Sequence, residues 1–140
     1  MTPIEIDIQR IRAASGAIPA GTPIVMVNLL RYNEQADYGD LTGHGSCSGR
    51  EAYFQRYIPA FIEVAAGIGG IQPLYLGSVF AGLIGPVEEQ WDDVGMVEYP
   101  NFAAFRRVVE SPSYEEKAAP HRKAALRDWR LIATIKMTLP

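Results

Sequence analysis

Between Trp91 and Tyr114 the chain reads WDDVGMVEYP, NFAAFRRVVE, SPSY, and this order of signals demands alternating β and α structure. Asp93 to Tyr99 predicts a strand, and Pro100 ends it because proline brings no N–H to a ladder. Asn101 stands where a helix cap belongs, with Phe102, Phe105 and Val109 on one helical face behind it. At Ser111-Pro112 the helix breaks and restarts, since serine caps well and proline suits a first turn.

Upstream, Thr2 and Glu5 have capping-box spacing and Pro3 falls at a first helical position. Ile4, Ile8 and Ile11 share a face, which predicts a short helix ending before Gly16. AIPAGTP is a turn-rich linker. Ile24 to Leu30 (IVMVNLL) has the near-continuous apolar character of a strand buried on both faces. Asn28, its one polar member, shares a face with Ile24 and Met26; Val25, Val27 and Leu29 take the other. Residues 33–48 form a long polar, glycine-rich loop of the kind that is often functional or mobile. Ser48 and Glu51 make a second capping box, opening a helix that places Phe54, Tyr57, Ile58, Phe61 and Ala65 on one side. Pro59 should kink it, and the glycines of 67–70 should end it. A second strand over Pro73–Ala81, a hairpin loop at 82–90, a helical stretch over 121–128 interrupted at Pro120, and a last strand at Trp129–Met137 complete the order.

After the N-terminal helix this is β-α-β-β-α-β. The fold class expected is α+β, ferredoxin-like, with a four-stranded antiparallel sheet in the order 4-1-3-2 and right-handed crossovers. One domain of 140 residues is expected, with 1–22 as helix and linker and 24–138 as the core. Helices cover one face of such a sheet. The other, assigned here to Ile24, Met26 and Asn28 with one face of Val94–Tyr99, is then apolar and bare, and calls for a second copy related by a two-fold axis.

A net charge of −3 gives no electrostatic case for nucleic acid. No apolar run approaches the roughly 18 residues of a membrane span. The first residues lack the order of a signal peptide, and a single cysteine excludes an internal disulfide, so a cytoplasmic protein is expected.

The pieces GGI at 69–71, WDDVGMVEYPNFAAF at 91–105, SPSY at 111–114 and HRKAALRDWRLI at 121–132 resemble the uncharacterised "domain of unknown function thirteen-thirty" family of the dimeric α/β-barrel superfamily. The resemblance covers residues 24–135. It implies a ferredoxin-like protomer whose sheet faces a second sheet, enclosing a barrel-like cavity. The wider superfamily includes cofactor-independent monooxygenases, lactone isomerases, haem-using enzymes and ligand-binding regulatory domains. The N-terminal helix and the 33–48 loop depart from its usual short members.

Topology gathers the polar candidates at one sheet edge: Asn28, Arg31, Tyr32, the 33–48 loop with His44 and Cys47, Trp91, Asp92, and His121 to Arg130. Two readings of Asn28 compete, a satisfied buried amide or a polar handle that holds a substrate carbonyl in the cavity. His121 is the acid–base candidate, oriented by Asp92 or Asp128, or else a solvated ring. Trp91 would wall a pocket, Asn28 and Arg31 would hold polar oxygens, and Arg31 with Tyr32 would bind an anionic group, unless Arg31 simply pairs with a surface acid. His44 and Cys47 fall short of a metal set, and no metal or cofactor is expected. Glu98 is either a desolvated base or a partner for a cation. The basic segment Arg122–Arg130 reads as a solvated helix face.

The functional expectation is a homodimer that binds a small, partly apolar organic molecule and performs cofactor-independent proton transfer, isomerisation or oxygenation. The alternatives are a non-catalytic ligand-binding or interaction module, and a haem-binding dimeric barrel with His121 or His44 as ligand.

Overall fold

The computed structural model describes residues 5–140, so the expected cap at Thr2 and Pro3 lies outside the described residues. The first helix, α1 (Ile8–Ala17), starts instead at Asp7, whose carboxylate accepts from the N–H of Gln9 at 2.9 Å. It runs through Gly16 rather than stopping before it, and ends where Ile18 closes on the Ala14 carbonyl just ahead of Pro19. One glycine lowers helix propensity without breaking the ladder, whereas proline cannot continue it.

Strand β1 (Ile24–Tyr32) extends two residues past the predicted run. After the long loop, α2 (Gly49–Glu51) begins with the expected capping box of Ser48 and Glu51. It passes through a π-helical segment (Ala52–Tyr57) into α3 (Ile58–Ile68), which ends at Gly69 with φ 87°. Proline lacks the N–H that would continue the ladder, and Pro59 follows directly on the widened turns, so the helix goes on where a break could have occurred. Strand β2 (Gln72–Ser78) begins and ends earlier than expected, with a register shift between Pro73 and Tyr75. Then come β3 (Asp93–Tyr99), α4 (Phe102–Val109) capped by Asn101, α5 (Pro112–Lys117) capped by Ser111, and α6 (Ala119–Ala125). Strand β4 (Leu126–Thr134) starts three residues before Trp129, because buried Leu126 already pairs with Tyr32.

The sheet is antiparallel in the order β2-β3-β1-β4, the expected arrangement. Helices α2 to α6 pack on one face. The register decides which residues they cover: Ile24, Met26 and Leu30 of β1, Asp93, Val97 and Tyr99 of β3, Trp129 and Leu131 of β4. This reverses the face assignment made from sequence. Ile24, Met26 and Asn28 lie beneath the helices, and the uncovered face carries Val25, Val27, Leu29, Val94, Met96 and Ile132. β1 is apolar on both sides, so its alternation gave no contrast from which to choose.

The 33–48 loop is tied down at both ends: Asn33 N–H donates to the Ala125 carbonyl at 2.8 Å, Asp37 N–H to Ala124 at 2.9 Å, and Ala36 N–H to Cys47 at 2.9 Å. At Gly49 the backbone passes so close to Asn33 and Ala125 that any Cβ would collide with both carbonyls.

Candidate functional site

The π-helical segment brings Tyr53 and Tyr57 over the middle of the sheet, where α5 supplies Tyr114 and β4 supplies Trp129. Together with Asn28, Met26, Phe61, Val97 and Phe105 they enclose a cavity of about 60 Å³ between sheet and helices. That volume holds a few waters or a small compact molecule. The walls are mostly aromatic; the Tyr53 and Tyr57 rings lie 5.0 Å apart, and Tyr57 meets Tyr114 edge-on at 6.2 Å.

The polar groups here form two chains. Trp129 Nε1–H donates to Asn28 Oδ1 at 3.1 Å, while Asn28 Nδ2 reaches the carbonyls of Met26 and Gly95 only at 3.5 Å. Its amide protons are therefore weakly engaged. In the second chain Arg122 Nη1–H donates to Tyr114 Oη at 2.6 Å, and Tyr114 Oη lies 2.9 Å from Tyr57 Oη. Burial, reinforced by neighbouring Tyr114 and Tyr53, pushes Tyr57 well above the usual phenol range; burial does the same for Tyr53 and Tyr99. These hydroxyls stay neutral and can donate.

Arg122 corrects the reading of 122–130 as a solvated face. It is 3 % exposed, its guanidinium lies 5.1 Å over the Trp129 ring, and its nearest carboxylate, Glu5, is 3.8 Å away. Its Nε finds no protein acceptor among the described residues.

Of the residues singled out from sequence, only Asn28 lines this cavity. Arg31 sits on the uncovered face opposite Asp128, whose carboxylate binds Arg130 instead at 2.7 Å. Trp91 packs beneath that same Arg130, 4.9 Å from the guanidinium, and does not line the aromatic cavity. Asp92 is exposed and accepts from Tyr32 N–H at 2.9 Å, so it does not orient His121. The partner of His121 is Tyr38, with Oη 2.7 Å from Nδ1; Arg56 donates to the same oxygen at 3.0 Å and His44 stacks on the Tyr38 ring. Because Arg56 can only donate, the Tyr38 proton is free to point at His121. Burial first, then His44 and Arg56, hold the imidazole below its ordinary value, which suits an accepting Nδ1. This cluster latches the 33–48 loop to α6. Tyr32 Oη donates to Asp93 Oδ2 at 2.6 Å, beside Arg50. Glu98 pairs with Lys136 at 2.9 Å, a bond that holds its carboxyl below the usual range.

Sequence reasoning missed Tyr53, Tyr114 and Arg122 as site residues. The signal for Tyr114 was present, since Ser-Pro-x-Tyr sets a tyrosine at the third position of a capped helix. Nothing local marked Arg122 as buried. Among the described residues no group of three or more His, Cys, Asp or Glu is placed to hold a metal ion, and no helix is long and apolar enough to cross a membrane.

No family model matches the chain and no curated protein does. Among solved structures it is similar to a protein of unknown function from Rhodopseudomonas palustris, a structural-genomics target, with a TM-score of 0.85 and 32 % identity over 99 % of this chain and 100 % of that one. The methylated form of that protein matches with a TM-score of 0.79 and 31 % identity over 98 % and 96 % of the two chains. A fainter likeness, TM-score 0.46 and 10 % identity over 83 % and 98 %, is to a dabb family protein with a ferredoxin-like fold from Mesorhizobium loti.

Proposed function

Since the chain belongs to the family of the Rhodopseudomonas palustris protein of unknown function, we propose a function from its own geometry: it binds a small, partly apolar organic molecule through one carbonyl-type oxygen in the cavity between sheet and helices. The observation that carries this is the hydrogen-bond chain from Arg122 through Tyr114 to Tyr57, ending at the cavity that Asn28 also lines. Arginine has no acceptor, so Tyr114 Oη receives its proton and passes its own toward Tyr57. The Tyr57 proton then faces the cavity, polarised by a buried cation two bonds upstream. Asn28 Nδ2 supplies a second donor.

Two donors lining one small cavity would stabilise negative charge developing on an oxygen bound between them, which enolisation and isomerisation require. This is the cofactor-independent proton-transfer chemistry we assign, with a water molecule from solvent taking the α-proton. A second reading, a non-catalytic binding module, draws its support from the lining itself, which contains no carboxylate or imidazole to act as base. A haem-binding version draws none, because neither histidine lines the cavity and about 60 Å³ is far too little for a porphyrin.

The working unit we propose is a homodimer. Ion pairs close both ends of the uncovered face within the chain, Arg130–Asp128 and Lys136–Glu98. Its middle is left apolar, and a like surface turned about a two-fold axis suits it. Kinship to the thirteen-thirty domain family and the dimeric α/β-barrel superfamily, carried by the Trp-Asp, Tyr-Pro and Ser-Pro-x-Tyr pieces, is part of the same proposal, as is a cytoplasmic setting.

The test uses acetone and isobutene, small enough for a cavity of about 60 Å³, as probes. Two neutral donors should favour the ketone by about tenfold. Asn28→Ala should remove most of that preference while lowering the melting temperature only slightly. A large melting-temperature drop with unchanged ketone binding would sink the proposal. Deuterium exchange at the α-carbons of the bound ketone separates the two readings: acceleration over solvent marks enolate chemistry, and its absence the binding module.

A further inference from the structure

Residues 80–91 form an arm between β2 and β3 that stands off the rest of the chain. Its base is closed by Val79 N–H, which donates to the Asp92 carbonyl at 2.8 Å. Beyond that pair one backbone bond is made within the arm, from Glu89 N–H to the Pro86 carbonyl at 3.1 Å. Phe80, Leu83, Ile84 and Val87 are each 86 % exposed or more. A single exposed apolar side chain needs no explanation. Four large ones on one short arm do, because a connecting segment that ends in water is ordinarily polar. The four offer roughly 400 Å² of apolar surface.

The sheet order puts β2 at one edge and β4 at the other. At the β4 edge, between the strand and α1, lies a groove of about 580 Å³. Ile11, Phe102 and Leu131 are among its apolar walls, and its two acids and two arginines cancel in charge. The groove shares Ile6, Met26, Trp129 and Leu131 with the aromatic cavity.

We infer that the arm of one copy seats in the β4 groove of a second copy. This exchange rests on the homodimer proposed above and adds the surfaces that hold it together. When two such sheets stack about a two-fold axis running along the strands, the strand order of one is reversed over the other. Strand β2 of each copy then lies opposite β4 of its partner. The register sets the height: Ser78 pairs with Asp93, Asp93 with Leu30, and Leu30 with Trp129. The arm therefore leaves β2 level with the start of the groove, which runs from Trp129 to Ala133. Six residues out and six back reach roughly 20 Å, against roughly 10 Å between packed sheets. Two arms, with an equal area covered beneath each, bury roughly 1,600 Å², the size of a stable interface. Each arm also completes the outer wall of the other copy's cavity.

Two measurements on the full chain test the exchange. Sedimentation velocity over a dilution series compares it with Ile84→Asp. Ile84 is 100 % exposed, so the substitution should leave the circular dichroism of the chain as it was. Dissociation of the dimer should move to a concentration at least about tenfold higher. Position is read by cross-linking in a Cys47→Ser background. Chains carrying only Ile84→Cys are mixed with chains carrying only Ala133→Cys and treated with a short bismaleimide. Each chain then holds one thiol, so any bridge joins two copies. The mixture should give a covalent dimer well above the yield of either variant alone. A dimer undisturbed by Ile84→Asp, or a mixture that bridges no better than its components, overturns the exchange and leaves the homodimer standing. A full chain that sediments as a monomer at every concentration removes both.

Discussion

The two faces of strand β1 are built from nearly the same residue types and have different fates. On the covered side Ile24, Met26 and Leu30 are 0 %, 3 % and 1 % exposed, locked in a core of aromatic rings with the α5–α6 pair. On the other side Val27 and Leu29 are only half-buried, and their β4 neighbour Ile132 is 48 % exposed. The covered face is completed by its own chain and spends that completeness on a cavity with polar groups in it. The open face has the composition of a core and no layer above it. Apolar area drives burial wherever a surface is supplied, and for the second face we propose that another copy supplies it.

Substitutions at matched positions can break this comparison. Ile24→Ala, which empties space in a finished core, should cost about 2–5 kcal/mol of unfolding free energy, read from denaturant melts. Val27→Ala on the other face should cost the isolated chain no more than about 1 kcal/mol; equal losses would mean that both faces are already closed. Next in size is Ile132→Lys, which puts a charge in the middle of the proposed contact. Light scattering across a dilution series should show dissociation at a concentration at least about tenfold higher than for the parent. A parent that stays monomeric throughout ends the dimer proposal.

The smallest effect concerns the latch. The fold holds His121 below its ordinary 6.5 and so favours the neutral ring. The unfolded chain therefore takes up the proton first on acidification. The stabilisation is complete above the unfolded-chain value and is lost as pH falls through the folded one. Amide exchange in 33–48, corrected for intrinsic rates, should quicken below pH 6.5. In His121→Gln that dependence should vanish; its persistence would put the latch elsewhere.

Much of the architecture was legible because its signals are local. Asn101 caps α4 through the N–H of Ala104 at 2.8 Å, and Ser111 caps α5 through that of Tyr114 at 3.0 Å, as the spacing said. The site was less so. Asn28 was found because a carboxamide in an apolar run stands out. His121 was found as a titratable group, but its partner is Tyr38 and not Asp92, since sixteen loop residues fold back by backbone bonds that no side-chain pattern announces. Trp91 and Arg31 lie on or beside the open face, away from the aromatic cavity, and there Arg130 and Asp128 occupy them or their neighbours.

By itself, then, the sequence determined the order of helices and strands, the caps of α2, α4 and α5, and the antiparallel sheet they make. These depend on backbone dihedrals and on hydrogen bonds between residues a few positions apart. Only the tertiary structure decided which face of β1 is covered, that Arg122 turns inward against Tyr114 and Trp129, and that Asp93 keeps one oxygen without a partner among the described residues. Those outcomes rest on distant segments meeting, and a strand that is apolar on both sides carries no information about which side they will choose.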